Sequence, residues 1–193
     1  MKKLVLFLLS VCVLISFAAA AFAAPLTDAQ ARSLLQKLVR EGHKIEDLWT
    51  YEAVFSKGVK PELYDPDNVK YYPVDRAKFP YKTVRAFVAD TRRVFSRTAI
   101  DEMGIFKLAP RYKDVDGIPC AVYLGQDGDP REMKWFTRTA EITHQSQTSI
   151  TARVKRIQMR SGKESWALLR LDKENGVWKL GQSSYADGAE AAD

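Results

Sequence analysis

Apolar residues recur at helical spacing through Ala31, Leu34, Leu35, Leu38 and Val39, and the stripe continues through Ile45, Leu48 and Trp49. That period predicts one face of an amphipathic helix. Thr27-Asp28-Ala29-Gln30 opens it in capping-box style, with the Thr hydroxyl and the Gln side chain each matched to a free backbone amide. Gly42 interrupts the stripe and predicts either a kink or a division into two helices. From Ser56 to Tyr81 no period holds. Pro61, Pro66, Pro73 and Pro80 punctuate a connection that carries Leu63, Tyr64, Tyr71, Tyr72, Phe79 and Tyr81. A connection of that length with so many rings is rarely a plain linker; the rings either lie on the core as a lid or line a binding lip. A second helix is expected from about Thr83 to Phe95, and a short third one through Ala99, Ile100 and Met103.

From Phe106 onward the pattern is that of strands. Asp116-Gly117 marks a turn into the apolar run Ile118 to Leu124, which reads as a buried strand, and Gln126 to Pro130 marks the next connection. Lys134 to Gln145 alternates, with Phe136, Ala140 and Ile142 on one face. Ile150, Ala152 and Val154 keep the rhythm, but Ile157 and Met159 fall on the opposite parity, so a bulge near Lys155-Arg156 is expected. Ser161-Gly162 turns into a strand from Glu164 to Leu171, and Asn175-Gly176 predicts a tight hairpin into Val177 to Leu180. Helices first and an antiparallel meander afterwards define the α+β class. The expected layout is N-terminal helices on a curved antiparallel sheet, NTF2-like or cystatin-like in outline. It forms one domain over 24–185, with a helical part at 24–105, a sheet at 106–185 and a fraying tail at 186–193.

The first 23 residues stand apart. Lys2 and Lys3 precede an apolar run from Leu4 to Phe17, and Ala21-Phe22-Ala23 places small residues where a signal peptidase reads them. The stretch from Leu4 to Ala23 is also long enough to span a bilayer. Its alanine-rich second half makes it a weak anchor, and we read a signal peptide cleaved between Ala23 and Ala24. The expected location is therefore secreted or periplasmic, at the cell envelope, which argues against a nucleic-acid partner. Cleavage removes Cys12 and leaves Cys120 as a lone thiol, expected to pack as a small hydrophobe within its strand.

The formal charge of +6 is unevenly spread. Between Lys134 and Lys173, nine basic residues face only Glu141, Glu164 and Asp172. A basic sheet face suits an anionic wall polymer, a lipid surface or an acidic partner, whereas charges on a solvated strand need no partner at all. Candidate catalytic chemistry is sparse. Cys120 and His144 are the only conceivable thiol–imidazole pair, without a supporting motif around either. His43 is expected at the surface of the first helix. Two isolated His and one Cys do not give ordinary zinc spacing, and Asp114 to Gly117 and Asp127 to Asp129 lack the further ligands of a calcium loop. No phosphate-cradling glycine loop is present. These readings point to a binding protein without cofactor or metal, not to an enzyme.

Four features together resemble the IseA family of secreted inhibitors of cell-wall D,L-endopeptidases. They are the leader followed by Leu26 to Ala31; Tyr71-Tyr72-Pro73-Val74 leading into Lys82 to Phe87 and ending at Val94-Phe95-Ser96; Gly128-Asp129 ahead of Lys134-Trp135; and Glu174 to Lys179. The resemblance implies a protein that binds a cysteine endopeptidase of the NlpC/P60 type, occludes its cleft and restrains autolysis. Contact residues are expected on exposed connections. The candidates are Tyr71 and Tyr72, Asp127 and Asp129, with Arg138 and its basic neighbours steering association. The alternative is an extracytoplasmic ligand-binding module without enzymatic activity, its pocket lined by Trp135, Trp166 or Trp178 and by convergent polar groups.

Overall fold

The stripe of apolar residues folds as one uninterrupted helix, α1 (Asp28–Thr50), in a computed structural model that describes residues 25–50, 55–104, 106, 111–124, 133–159 and 161–183. The Ala23/Ala24 cleavage point, the turn holding Asp127 and Asp129, and the tail lie outside the described residues. The capping box forms: the Thr27 amide donates to Gln30 Oε1 at 2.8 Å and the Gln30 amide to Thr27 Oγ1 at 3.3 Å. At the other end, the carbonyls of Leu48 and Trp49 accept from the Tyr112 hydroxyl and the Arg111 guanidinium. Side chains from outside the helix thus satisfy two of its orphan carbonyls and set a cation at the negative end of its dipole.

Gly42 does not divide the helix. A Cβ there would fall 2.6 Å from Leu180 Cδ1 and 3.2 Å from Phe95 Cζ, so glycine lets the backbone lie close against the last strand. Helix α2 (Val84–Val94) is capped by Thr83, whose hydroxyl accepts from the Ala86 amide, and by the Asp114 carboxylate, which accepts from the Val84 amide at 3.0 Å. Helix α3 (Arg97–Met103) starts on a Ser96 cap and stops at Gly104 in the left-handed region. Among the described residues no helix is long and apolar enough to cross a membrane.

The strands form two antiparallel sheets instead of one meander. The smaller has the order β1 (Tyr72–Pro73), β3 (Ile118–Ala121), β2 (Tyr112–Val115). Its first strand therefore comes from the Pro-rich connection, inside the span expected to be helical. The larger runs β4 (Met133–Trp135), β6 (Ser149–Gln158), β7 (Glu164–Glu174), β8 (Val177–Ser183), with β5 (Glu141–Gln145) also paired to β6. Both two-residue hairpins carry positive φ at each central residue, 50° and 77° at Asp116-Gly117 and 51° and 81° at Asn175-Gly176. This is the twist-matched turn that Asp-Gly and Asn-Gly favour. The architecture is α+β, with helices packed on curved antiparallel sheet.

Three local expectations are corrected. The run from Lys134 to Gln145 is not one strand: a 3₁₀ turn at Thr137–Thr139 separates β4 from β5, and Thr137 is buried within it. The alternation there imitates a strand, while the Phe136 carbonyl accepts from both the amide and the hydroxyl of Thr139. No bulge occurs at Lys155-Arg156, because the β6–β7 ladder is unbroken from Ser149↔Asp172 to Ile157↔Glu164. Arg156 takes the buried position after Val154, and Met159 stays exposed. Ile118 is exposed too, so burial in its run begins at Pro119.

The core lies between the helices and the larger sheet. Ala31, Leu35, Leu38 and Val39 of α1 cluster with Ile150, Ala152, Val154, Leu169, Leu171 and Leu180. Each large side chain buried there contributes roughly 1.5–3 kcal/mol. Trp49 extends the cluster toward the smaller sheet. Its ring stacks on Phe87 at 4.6 Å and meets Tyr112 edge-on at 5.4 Å, and its indole N–H donates to Thr91 Oγ1 at 2.9 Å.

Candidate functional site

The outward face of the larger sheet follows from strand parity. With Ile150, Ala152 and Val154 directed at the helices, Thr151, Arg153 and Lys155 point away. On β7 the same rule buries Ala167, Leu169 and Leu171 and turns out Trp166, Leu168 and Arg170. Register sets Arg153 opposite Leu168, Lys155 opposite Trp166 and Thr151 opposite Arg170. The Arg153 guanidinium lies over the Trp166 ring at 4.7 Å, a cation–π contact that holds both side chains in place. Trp166 is 43% and Leu168 42% exposed.

Charge on this face is close to balanced. Lys155 pairs with Glu164 at 2.6 Å and Arg170 with Asp172 at 2.8 Å, while Arg153 stands opposite Glu141. The basic excess read along the chain is dispersed in space. Arg156 faces inward, Lys173 lies over the Trp178 ring at 5.5 Å, and Arg138 is exposed on the 3₁₀ turn. Trp135 and Trp178 pack against the core, so Trp166 is the tryptophan of that trio that faces solvent.

Tyr72 belongs to the other sheet, and Tyr71 immediately precedes its first strand. Tyr72 pairs with Ala121 across β1–β3, its hydroxyl accepts from the Glu62 amide at 3.0 Å, and its ring meets Phe55 edge-on. Tyr71 is half-buried with the Lys113 ammonium 5.7 Å from its ring, and burial raises its hydroxyl pKa. The connection is fastened down at further points: the Tyr64 amide donates to the Tyr123 carbonyl at 2.6 Å, and Phe79 is fully buried. Arg138, on the link between β4 and β5, does not join the two tyrosines.

The thiol and imidazoles are likewise apart from any shared site. Cys120 is buried and its burial pushes the thiol pKa up, whereas His144 is exposed on β5. His43 is half-buried rather than at the surface. Its ring stands 6.4 Å from that of Trp135, and burial lowers its pKa. Among the described residues no three His, Cys, Asp or Glu are gathered as a metal site.

A groove of about 420 Å³ opens where α2, α3 and the β7–β8 hairpin meet. Phe95, Ile100 and Phe106 give it apolar lining; Arg92, Arg97, Asp101, Glu174 and Lys179 give it charge. Both Glu174 oxygens are engaged, one by the Arg97 amide at 2.9 Å and the other by the Lys179 ammonium at 2.9 Å. Burial alone would raise the Glu174 pKa; these two donors outweigh it and hold the carboxyl below its usual range. Neither this groove nor the outward Trp166 was expected from sequence. Parity counted back from Leu171 carries the signal for Trp166, whereas the groove joins residues some eighty positions apart. No family model matches the chain, and no curated protein matches it.

Proposed function

We propose that the chain is an exported, non-catalytic binding protein that holds and inhibits a cell-wall D,L-endopeptidase of the NlpC/P60 type. The observation that carries the binding role is the Arg153–Trp166 pair beside Leu168 on a rigid, fully paired part of the sheet. Interface centres are enriched in Trp and Arg, and they sit inside a polar rim. The ion pairs Lys155–Glu164 and Arg170–Asp172 are placed as such a rim. The nature of the partner rests on the resemblance to the IseA family.

A second reading, the extracytoplasmic ligand-binding module, is favoured by the groove between α2, α3 and the β7–β8 hairpin. One experiment separates the two. Purified protein lacking its leader is titrated against several NlpC/P60 endopeptidases digesting isolated peptidoglycan. Inhibition that saturates, and that weakens by about thirtyfold or more in Trp166→Ala, supports the inhibitor. No inhibition at micromolar excess, together with no detectable complex, overturns it and promotes the module.

A further inference from the structure

We propose that the groove between α2, α3 and the β7–β8 hairpin binds a small organic carboxylate with a flat apolar body. The argument starts from which charges are already committed. Glu174 is occupied on both oxygens, and Lys179 is occupied by Glu174. Asp101 holds Arg97 only loosely, at 3.9 Å, and the Arg97 side chain is 90% exposed. Arg92 is different again: among the described residues no carboxylate pairs with it, and its guanidinium lies over the Phe106 ring at 5.4 Å. The groove therefore offers one uncommitted guanidinium and one loosely held one.

Beneath those cations the lining is apolar. Phe95 and Ile100 are buried at the floor, and Phe106 is exposed enough to serve as a wall. A guanidinium presents a planar fork that matches a carboxylate with two parallel hydrogen bonds, and the Asp101 and Glu174 carboxylates lining the same groove favour a singly charged carboxylate over a more highly charged phosphate. Burial of a ring or branched chain on Phe95, Ile100 and Phe106 adds apolar contact, and a volume of about 420 Å³ is in the range of small-ligand sites. A free acid and the carboxyl terminus of a peptide both present this chemistry. The inference does not depend on the outward sheet face or on any peptidase.

The probes are 3-phenylpropanoate, its primary amide, acetate, and N-acetyl-Ala-Phe with a free carboxyl end. Binding is followed by calorimetry and by amide chemical shifts of residues around Ile100 and Lys179. Saturable binding of 3-phenylpropanoate is expected, weakened about tenfold or more in the amide, in acetate and in Arg92→Gln, the scale of a lost charge-assisted hydrogen bond. Arg92→Lys should recover only part of it, because an ammonium lacks the fork. Lys163→Gln, exposed on the turn between β6 and β7, should bind as well as the native chain. Tighter binding of the peptide than of 3-phenylpropanoate identifies a peptide terminus as the source, and the reverse identifies a free acid. No saturation by either acid, or binding indifferent to Arg92→Gln, overturns the proposal while leaving the peptidase assay untouched. Arg92 is exposed on its helix, so an unchanged melting curve for its variants is expected and checks the fold.

Discussion

The guanidinium of Arg156 lies 5.5 Å from the centre of the Trp135 ring, on the buried side of β6, with its Nε donating to Ser165 Oγ at 2.9 Å. A cation holds a position that the strand's rhythm assigns to an apolar side chain. Its long stem and planar head fill the space over Trp135, so it contributes by packing as well as by charge.

Arg156→Met keeps most of that volume and removes the cost of burying a charge. It should stay within about 1 kcal/mol of the native stability. Arg156→Ala leaves a void beside Trp135 and should cost about 2–3 kcal/mol. Urea denaturation of both variants checks the contrast; equal losses would contradict the packing role.

Tyr112 gives a pH dependence with a definite sign. Burial, its largest cause, pushes the hydroxyl pKa up from 10.0 to about 12, and the protonated hydroxyl is what donates to the Leu48 carbonyl. Ionisation favours the unfolded chain, so this contribution is complete below about pH 10 and is lost as the pH rises toward about 12. Tyr112→Phe should lower stability by about 1–2 kcal/mol at neutral pH, because a buried carbonyl loses its partner. Alkaline stability curves should fall less steeply for the variant than for the native chain.

Tyr72 should report on stability ahead of binding. Tyr72→Phe loses the contact with the Glu62 amide and should cost about 1 kcal/mol, while Tyr72→Ala also strips the edge contact with Phe55 and should cost about 2 kcal/mol. Thermal melts alongside the peptidoglycan assay test this. A Tyr72→Ala protein with a native melting temperature and no inhibition would instead place the residue in the interface.

Gly181 is constrained by a neighbour's side chain. A Cβ at this position would fall 2.2 Å from Asp172 Oδ2 and 3.2 Å from the Arg170 carbonyl oxygen. Gly181→Ala should therefore displace Asp172 from Arg170 and cost about 1–3 kcal/mol. Adding Asp172→Ala should recover part of the loss, and a double-mutant cycle in denaturant measures that coupling.

Cys120 should behave as a packing residue. Cys120→Ala is expected to cost roughly 1 kcal/mol and to leave partner binding intact. The native thiol should react slowly with iodoacetamide until the protein unfolds, because burial keeps it protonated.

The elements with local signals were legible in the chain. Thr27 with Gln30 announces a helix start, and Asp116-Gly117 and Asn175-Gly176 announce hairpins. What escaped depended on partners far away in sequence. Strand β1 is two residues long in a Pro-rich connection and exists because β3 lies beside it. Arg156 reads as a solvent-facing cation, and only the unbroken ladder with β7 turns it inward. Gly42 reads as a helix breaker, while its backbone conformation is ordinary and its small size is what Leu180 and Phe95 require. The candidate surfaces follow the same division. The outward Trp166 and the Arg92 groove needed strand pairing and helix docking to come into view.

The last strand closes structure begun by the first helices. The Ser96 amide donates to the Leu180 carbonyl at 2.7 Å, Phe95 bridges Leu180, and α1, α2 and α3 all rest on β8. Among the described residues nothing upstream of Val177 supplies that edge, so the helices made first wait for β8 before their docking site is complete. A polypeptide built this way finishes late, and contacts between distant segments favour slow closure.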